Sequence, residues 1–148
     1  MRKIEYIFID SDCQTNDSKS GRPAMSLFRH HFTINNEGLV LNPIDISSTV
    51  NLIEGPIYDR DKYNKCSISI RYCGSLLPHA WLIDPNTSCK SVMQQRAALL
   101  QLLVDLRSRF PDAKILGVSE LDGKEIYSKN IIVSDSMNVL RSELSDMP

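Results

Sequence analysis

Apolar residues crowd the start of the chain. From Ile4 to Asp10, Ile4, Tyr6 and Phe8 interleave with Glu5, Ile7 and Ile9, and a run this apolar suits a central strand covered on both faces. Polar residues take over from Ser11 to Pro23 and predict a loop, with room for at most a short helix between Pro23 and Arg29. His31 to Ile34 and Leu39 to Leu41 read as the arms of a hairpin, because Asn35-Asn36-Glu37-Gly38 between them supplies residues that tolerate positive φ. Ile44 to Leu52 continues as extended chain or loop, and Pro56 to Lys65 is polar enough to predict an exposed excursion. Ser67 to Tyr72 sets Ile68 and Ile70 against Ser69 and Arg71, the two-residue period of a strand.

The pattern then changes period. Leu99, Leu103, Leu106 and Phe110, with Leu100 beside them, form a helical stripe and predict a helix from about Val92 to Phe110. Ser91 and Gln94 have the spacing of a capping box, and Pro111 with Asp112 ends the helix. Lys114 to Gly117 predicts a short buried strand around Ile115 and Leu116. A final helix, capped by Ser134-Asp135-Ser136, carries Met137, Leu140 and Leu144 on one face. The order strand, hairpin, strand, helix, strand, helix predicts an α/β fold: a mixed central β-sheet flanked by α-helices, one layer on each side.

A chain of 148 residues suits one domain, 1–148, with a core of its own. Its 17 basic and 18 acidic residues nearly cancel, which argues against a protein whose main task is gripping nucleic acid. Glu5 and Asp10 interrupt the apolar start, so no signal-peptide core forms there, and no apolar run approaches the length of a membrane helix. The expectation is a cytoplasmic protein with no membrane partner, compatible with a phage or mobile-element origin. Cys13, Cys66, Cys73 and Cys89 contain no C-x-x-C pair. Cys66 and Cys73 flank one strand and cannot bridge each other, so reduced, partly buried thiols are expected.

Four segments together resemble a known family. Arg2-Lys3-Ile4-Glu5-Tyr6-Ile7-Phe8-Ile9 looks like the first strand of the phage-lysozyme-like, zinc-dependent N-acetylmuramoyl-L-alanine amidases, whose fold is shared with peptidoglycan recognition proteins. Arg29-His30-His31-Phe32-Thr33-Ile34 through Gly38 is similar to the family's G-Y-H-F hairpin. Tyr63-Asn64-Lys65-Cys66-Ser67-Ile68-Ser69-Ile70 through Gly74 resembles its Y-N-x-x-S-I strand. Gln95 to Leu100, followed by Arg109 through Gly117, looks like the long helix and the strand that leads to a G-H-R-D loop. The match runs through nearly the whole chain in order. The resemblance implies cleavage of the bond between muramic acid and the first alanine of the peptidoglycan stem.

Family members hold one zinc with two histidines and a cysteine, an aspartate in some relatives, and leave a fourth position open for water. Carried over position by position, the first histidine falls on Asp10 and the second on Val118. The cysteine falls on Ile131 if Lys129 matches the family lysine, and a shifted register offers only Ser134 or Asp135. Valine and isoleucine have no lone pair, so the zinc is expected to be lost. Glu120 is the best replacement ligand, and with Asp10 it would favour magnesium or calcium. His30 replaces the family's tyrosine, and Lys129 either retains the catalytic lysine or is a solvated loop residue. His31 reads most simply as a sheet histidine bonded locally, and His79 suggests no role. His30 and His31 cannot easily share a metal from one strand.

The interval from Ser11 to Arg29 is short and broken by Gly21 and Pro23, where relatives carry a helix, so one wall of a glycan groove is altered. Tyr58, Arg60 and Tyr63 are interface-prone residue types in a candidate binding loop, although a solvated loop reads equally simply. The leading expectation is a pseudo-amidase with no cofactor that binds a muropeptide or a protein partner. The alternative is an active amidase with a rebuilt site using Asp10, Glu120 or Asp122, and His30, with Lys129 stabilising the oxyanion.

Overall fold

The computed structural model describes residues 2–11, 30–52, 60–73, 76, 89–121 and 130–147. Its centre is a five-stranded sheet in the order β3-β2-β4-β1-β5. The strands are β1 (Tyr6–Ser11), β2 (Phe32–Ile34), β3 (Val40–Leu41), β4 (Ser67–Tyr72) and β5 (Lys114–Gly117). β1 runs parallel to both β4 and β5, with Ile7 opposite Ile68 and Ile115, and Ile9 opposite Ile70 and Gly117. β2 is parallel to β4 and antiparallel to β3, which makes the sheet mixed. The expected α/β class with a mixed central sheet is therefore present.

The hairpin is shorter than its sequence suggests, since Leu39 lies outside β3. Asn35 Oδ1 accepts the N–H groups of Glu37 and Leu39 at 2.9 Å each, closing the turn. Gly38 has φ +84°, and a Cβ there would stand 3.0 Å from the Gln94 carbonyl oxygen, so only glycine lets the turn lie against the long helix.

Among the described residues three α-helices accompany the sheet: α1 (Arg60–Lys65), α2 (Cys89–Arg109) and α3 (Asn130–Ser145). Ile7, Ile9, Ile34, Ile68, Ile70 and Tyr72 pack in one cluster with Leu99, Leu103 and Leu106 of α2 and Met137, Leu140 and Leu144 of α3. Burying each such aliphatic side chain stabilises by roughly 2 kcal/mol. Arg96 of α2 spans to α3, where its Nη2 donates to Glu143 Oε1 at 2.6 Å, and its Nη1 donates to the Leu76 carbonyl at 3.0 Å. Gln95, also buried, donates to the Cys73 carbonyl at 2.7 Å and ties α2 to the end of β4.

The opposite face of the sheet carries a second, smaller cluster. Among the described residues, Phe8 and Leu121 are buried there with Tyr6, Leu52, Tyr63, Leu116 and Val118 around them. Pro56 to Lys65 was expected to be an exposed excursion, but its last six residues form α1. Tyr63 meets Tyr6 edge-on at 5.2 Å and Phe8 at 5.7 Å, and Tyr6 stacks on Phe8 at 5.5 Å. One aromatic side chain thus anchors a helix too polar to show a periodic stripe.

Both long helices start earlier than their caps predict. Ser91 lies inside the first turn of α2, and Ser134-Asp135-Ser136 lie inside α3. Cys66 and Cys73 flank the two ends of β4, each half-buried and outside a disulfide. No helix among the described residues is long and apolar enough to cross a membrane.

Candidate functional site

Strand alternation puts Tyr6, Phe8 and Asp10 on one face of β1. Asp10 is therefore the polar continuation of the Tyr6–Phe8 stack at the carboxyl end of the strand. Because Ile9 pairs with Gly117, Val118 comes to the same end from β5. His30, on the chain entering β2, reaches the same place: its Nε2 lies 3.1 Å from Asp10 Oδ2. A carboxylate oxygen facing a ring nitrogen accepts, so His30 donates through Nε2. The His30 side chain is only 5% exposed and that of Asp10 is 44% exposed, so the histidine is the buried support and the carboxylate is the group shown to solvent. In parallel α/β sheets the carboxyl ends of the strands are where ligands ordinarily bind.

Three positions singled out separately from sequence, Asp10, Val118 and His30, thus converge. Ile131 stands in the first turn of α3, within a helix rather than the loop in which a cysteine ligand was sought. Lys129, Asp122, Tyr58, His79 and Cys13 lie outside the described residues. Arg60 opens α1 and pairs with Asp61 at 3.5 Å. Tyr63, considered for a binding loop, is packed against Tyr6 and Phe8 instead.

Glu120 belongs to a 3-10 turn, Val118–Glu120, that follows β5 directly. Its Oε1 accepts the Gly117 N–H at 2.8 Å and Arg141 Nη1 at 2.8 Å, and its Oε2 accepts Arg141 Nη2 at 3.0 Å. The same guanidinium donates to the Ile115 carbonyl at 3.0 Å and to Asn138 Oδ1 at 2.8 Å. Burial pushes the Glu120 carboxyl up, but the Arg141 and Gly117 hydrogen bonds and the Arg141 charge outweigh it and hold the group below the ordinary carboxylate range. Glu120 is thereby committed to clamping the turn, a role unlike that of a metal ligand. Sequence reading missed Arg141. The signal available was its place four residues after Met137, on the flank of the buried stripe of α3. Gly117 completes the clamp, since a Cβ there would stand 3.1 Å from Met137 Cγ.

Glu120→Ala is expected to cost about 2 kcal/mol, because it strips a half-buried guanidinium of its bidentate partner and leaves the Gly117 N–H unpaired. The depressed carboxyl contributes stability that is present above its ordinary value of 4.5 and lost as pH falls through the lower folded value. A urea titration at pH 7 reads the loss directly, and an unchanged midpoint would remove the clamp from the structural account.

His31 turns the other way from His30 and is fully buried. Its Nδ1 accepts the Ser69 N–H at 3.0 Å, and its Nε2 donates to the Ser48 carbonyl at 2.7 Å. Arg2, anchored on the Ile46 and Lys65 carbonyls, brings its guanidinium within 3.0 Å of Nε2. This histidine sews the amino terminus and the 46–48 segment to β4 and faces no ligand site. Among the described residues, no group of three His, Cys, Asp or Glu side chains is placed to hold a metal ion.

A mixed sheet with a polar pair at the carboxyl end of a parallel strand defines the class: an α/β domain with its candidate site at the strand ends. Within that class the fold is similar to that of a phage endolysin. The Ph2119 endolysin from Thermus scotoductus MAT2119 bacteriophage Ph2119 superimposes with a TM-score of 0.58 over 92% of this chain and 86% of that one, at 14% sequence identity. At that identity the likeness establishes the fold alone. No family model matches the sequence, and no curated protein matches it.

Proposed function

We propose that this domain is a catalytically inactive relative of the N-acetylmuramoyl-L-alanine amidases that binds peptidoglycan fragments. The observation that carries the reading is chemical. Where the resemblance places two histidines and a cysteine, this chain has Asp10, Val118 and Ile131. Valine and isoleucine offer no lone pair, and the carboxylate considered as a replacement ligand, Glu120, is held by Arg141 and the Gly117 N–H. These residues do not fit a catalytic zinc, which needs three good donors and an open position. The endolysin fold and the exposed carboxylate at the strand ends support retention of a peptidoglycan-directed surface. A protein partner on the same surface is the other form of the binding role.

The test is an element-resolved metal analysis of protein purified without added metal, repeated after incubation with excess zinc, alongside co-sedimentation with purified peptidoglycan. Sub-stoichiometric zinc in both samples, with the protein in the pellet, is the expected result. One firmly held zinc per chain would overturn the loss of the site.

One observation favours a second reading, a working hydrolase with a rebuilt site: the Asp10–His30 contact has the geometry of an acid–base pair. Release of stem peptides from purified peptidoglycan, measured with and without chelator, separates the readings. No release under any metal removes the hydrolase.

A further inference from the structure

A zinc ion at the end of β1 would be a cation that receives lone pairs, and it would therefore draw in the carbonyl oxygen of a ligand. Asp10 does the reverse. A carboxylate is an acceptor of hydrogens and favours positive charge. Its orientation is held by His30, which donates at 3.1 Å from a position almost closed to solvent. Beside it stands Val118, part of an apolar wall with Phe8 and Leu121. Arg71, opposite Asp10 on β4, has interactions of its own. The end of the sheet thus offers a held, half-exposed anionic acceptor next to a small apolar surface.

We infer that this site recognises a free peptide α-ammonium on a residue with a small apolar side chain. Resting on the peptidoglycan reading above, the ligand is the stem peptide after its amide bond to muramic acid has been cut, rather than the intact muramoyl-peptide. In the intact chain the nitrogen of the first alanine is a neutral amide with one N–H. After hydrolysis it is an ammonium with three N–H donors and a positive charge at neutral pH. Both forms can donate to the Asp10 carboxylate, but only the cleaved form brings a full positive charge to it and makes the bond an ion pair, and its alanine methyl group matches Val118. The domain would then bind the product of the reaction that its zinc-bearing relatives catalyse.

The experiment is isothermal titration of the whole chain at pH 7 with L-alanyl-D-isoglutamyl-L-lysine and with the same peptide acetylated at its α-amine. The free peptide is expected to bind about tenfold more tightly, the added worth of an opposite charge at a half-exposed carboxylate. Asp10→Asn, which keeps the shape and removes the charge, should bring the free peptide down to the acetylated one. Equal binding of the two peptides, or a preference for the acetylated one, overturns the ammonium site and leaves the peptidoglycan reading standing. Binding of neither peptide, with the protein absent from the peptidoglycan pellet, overturns both. If Asp10→Asn does not fold, the comparison of the two peptides on the natural chain still decides.

Discussion

Phe8→Ala is expected to lose about 4 kcal/mol of stability, a large share of what a domain of this size ordinarily has. The ring is fully buried, stacks on Tyr6 with an interplanar angle of 12°, and receives Tyr63 at 90°. Removing it opens a cavity and deletes two of the three aromatic contacts, each worth about 1 kcal/mol beyond simple burial. The loss has a second, local readout. With six residues, α1 is far too short to hold itself together and depends on its packing. Hydrogen exchange in Arg60–Lys65 should therefore accelerate more than exchange in α2. Tyr63→Ala should loosen α1 similarly at a smaller global cost, because Tyr63 is only partly buried. Unaltered protection of α1 in Phe8→Ala would mean that the helix is held by something other than the aromatic cluster.

Whether these elements could be read from sequence depended on where their stabilisation comes from. β1 and β4 show themselves because their residues are mostly buried and alternate or run apolar, and β5 through Ile115 and Leu116, which turn out only partly buried rather than the core of a buried strand; in each case the pattern is local. α2 shows itself for the same reason, with Leu99, Leu103 and Leu106 at helical spacing and fully buried. α1 does not, because Tyr63 is the one aromatic residue in Arg60-Asp61-Lys62-Tyr63-Asn64-Lys65, and it packs on a strand more than fifty residues away. The starts of α2 and α3 were placed too late because Ser91 and Ser134 have capping chemistry but lie inside the helices. A serine is compatible with a cap without fixing one.

The candidate site divides in the same way. Asp10, Val118 and His30 were each identified by position within a motif, and the sheet register brings the first two together. The bond between Asp10 and His30 was not legible, because twenty residues separate them and no periodicity links a strand end to the residue before a hairpin. Glu120 was read as a free donor since its partner Arg141 lies on another element, 21 residues on. Charged residues declare their type in a sequence and conceal their partners.

The second large effect is expected at His31, and it has a pH signature. Burial pushes this imidazole below its ordinary value of 6.5; the Ser48 carbonyl opposes the shift, Arg2 and His30 add to it, and the exposed Asp45 carboxylate opposes it slightly. Geometry agrees, since Nδ1 already accepts the Ser69 N–H and has no room for a proton, while the Arg2 guanidinium lies 3.0 Å from Nε2. The folded chain therefore takes up this proton less readily than the unfolded chain. Stability from His31 is complete above the unfolded value of 6.5 and is lost as pH falls from there towards the lower folded value. The slope within that window cannot exceed about 1.4 kcal/mol per pH unit for one proton. Carboxylates such as Glu120 titrate further down, and His30 and His79 are common to the natural chain and a His31 variant, so the difference between the two from about pH 6.5 to 5 isolates His31. His31→Gln removes the titration and leaves either the Ser69 N–H or the Ser48 carbonyl poorly paired, at a cost of about 2 kcal/mol at pH 7.5. Urea unfolding of both proteins at pH 7.5 and pH 5 should show the natural chain weakening more than the variant on acidification, so that the gap between them narrows. A gap that keeps its size across that interval would mean that His31 can take a proton without breaking its bonds to Ser69 and Ser48.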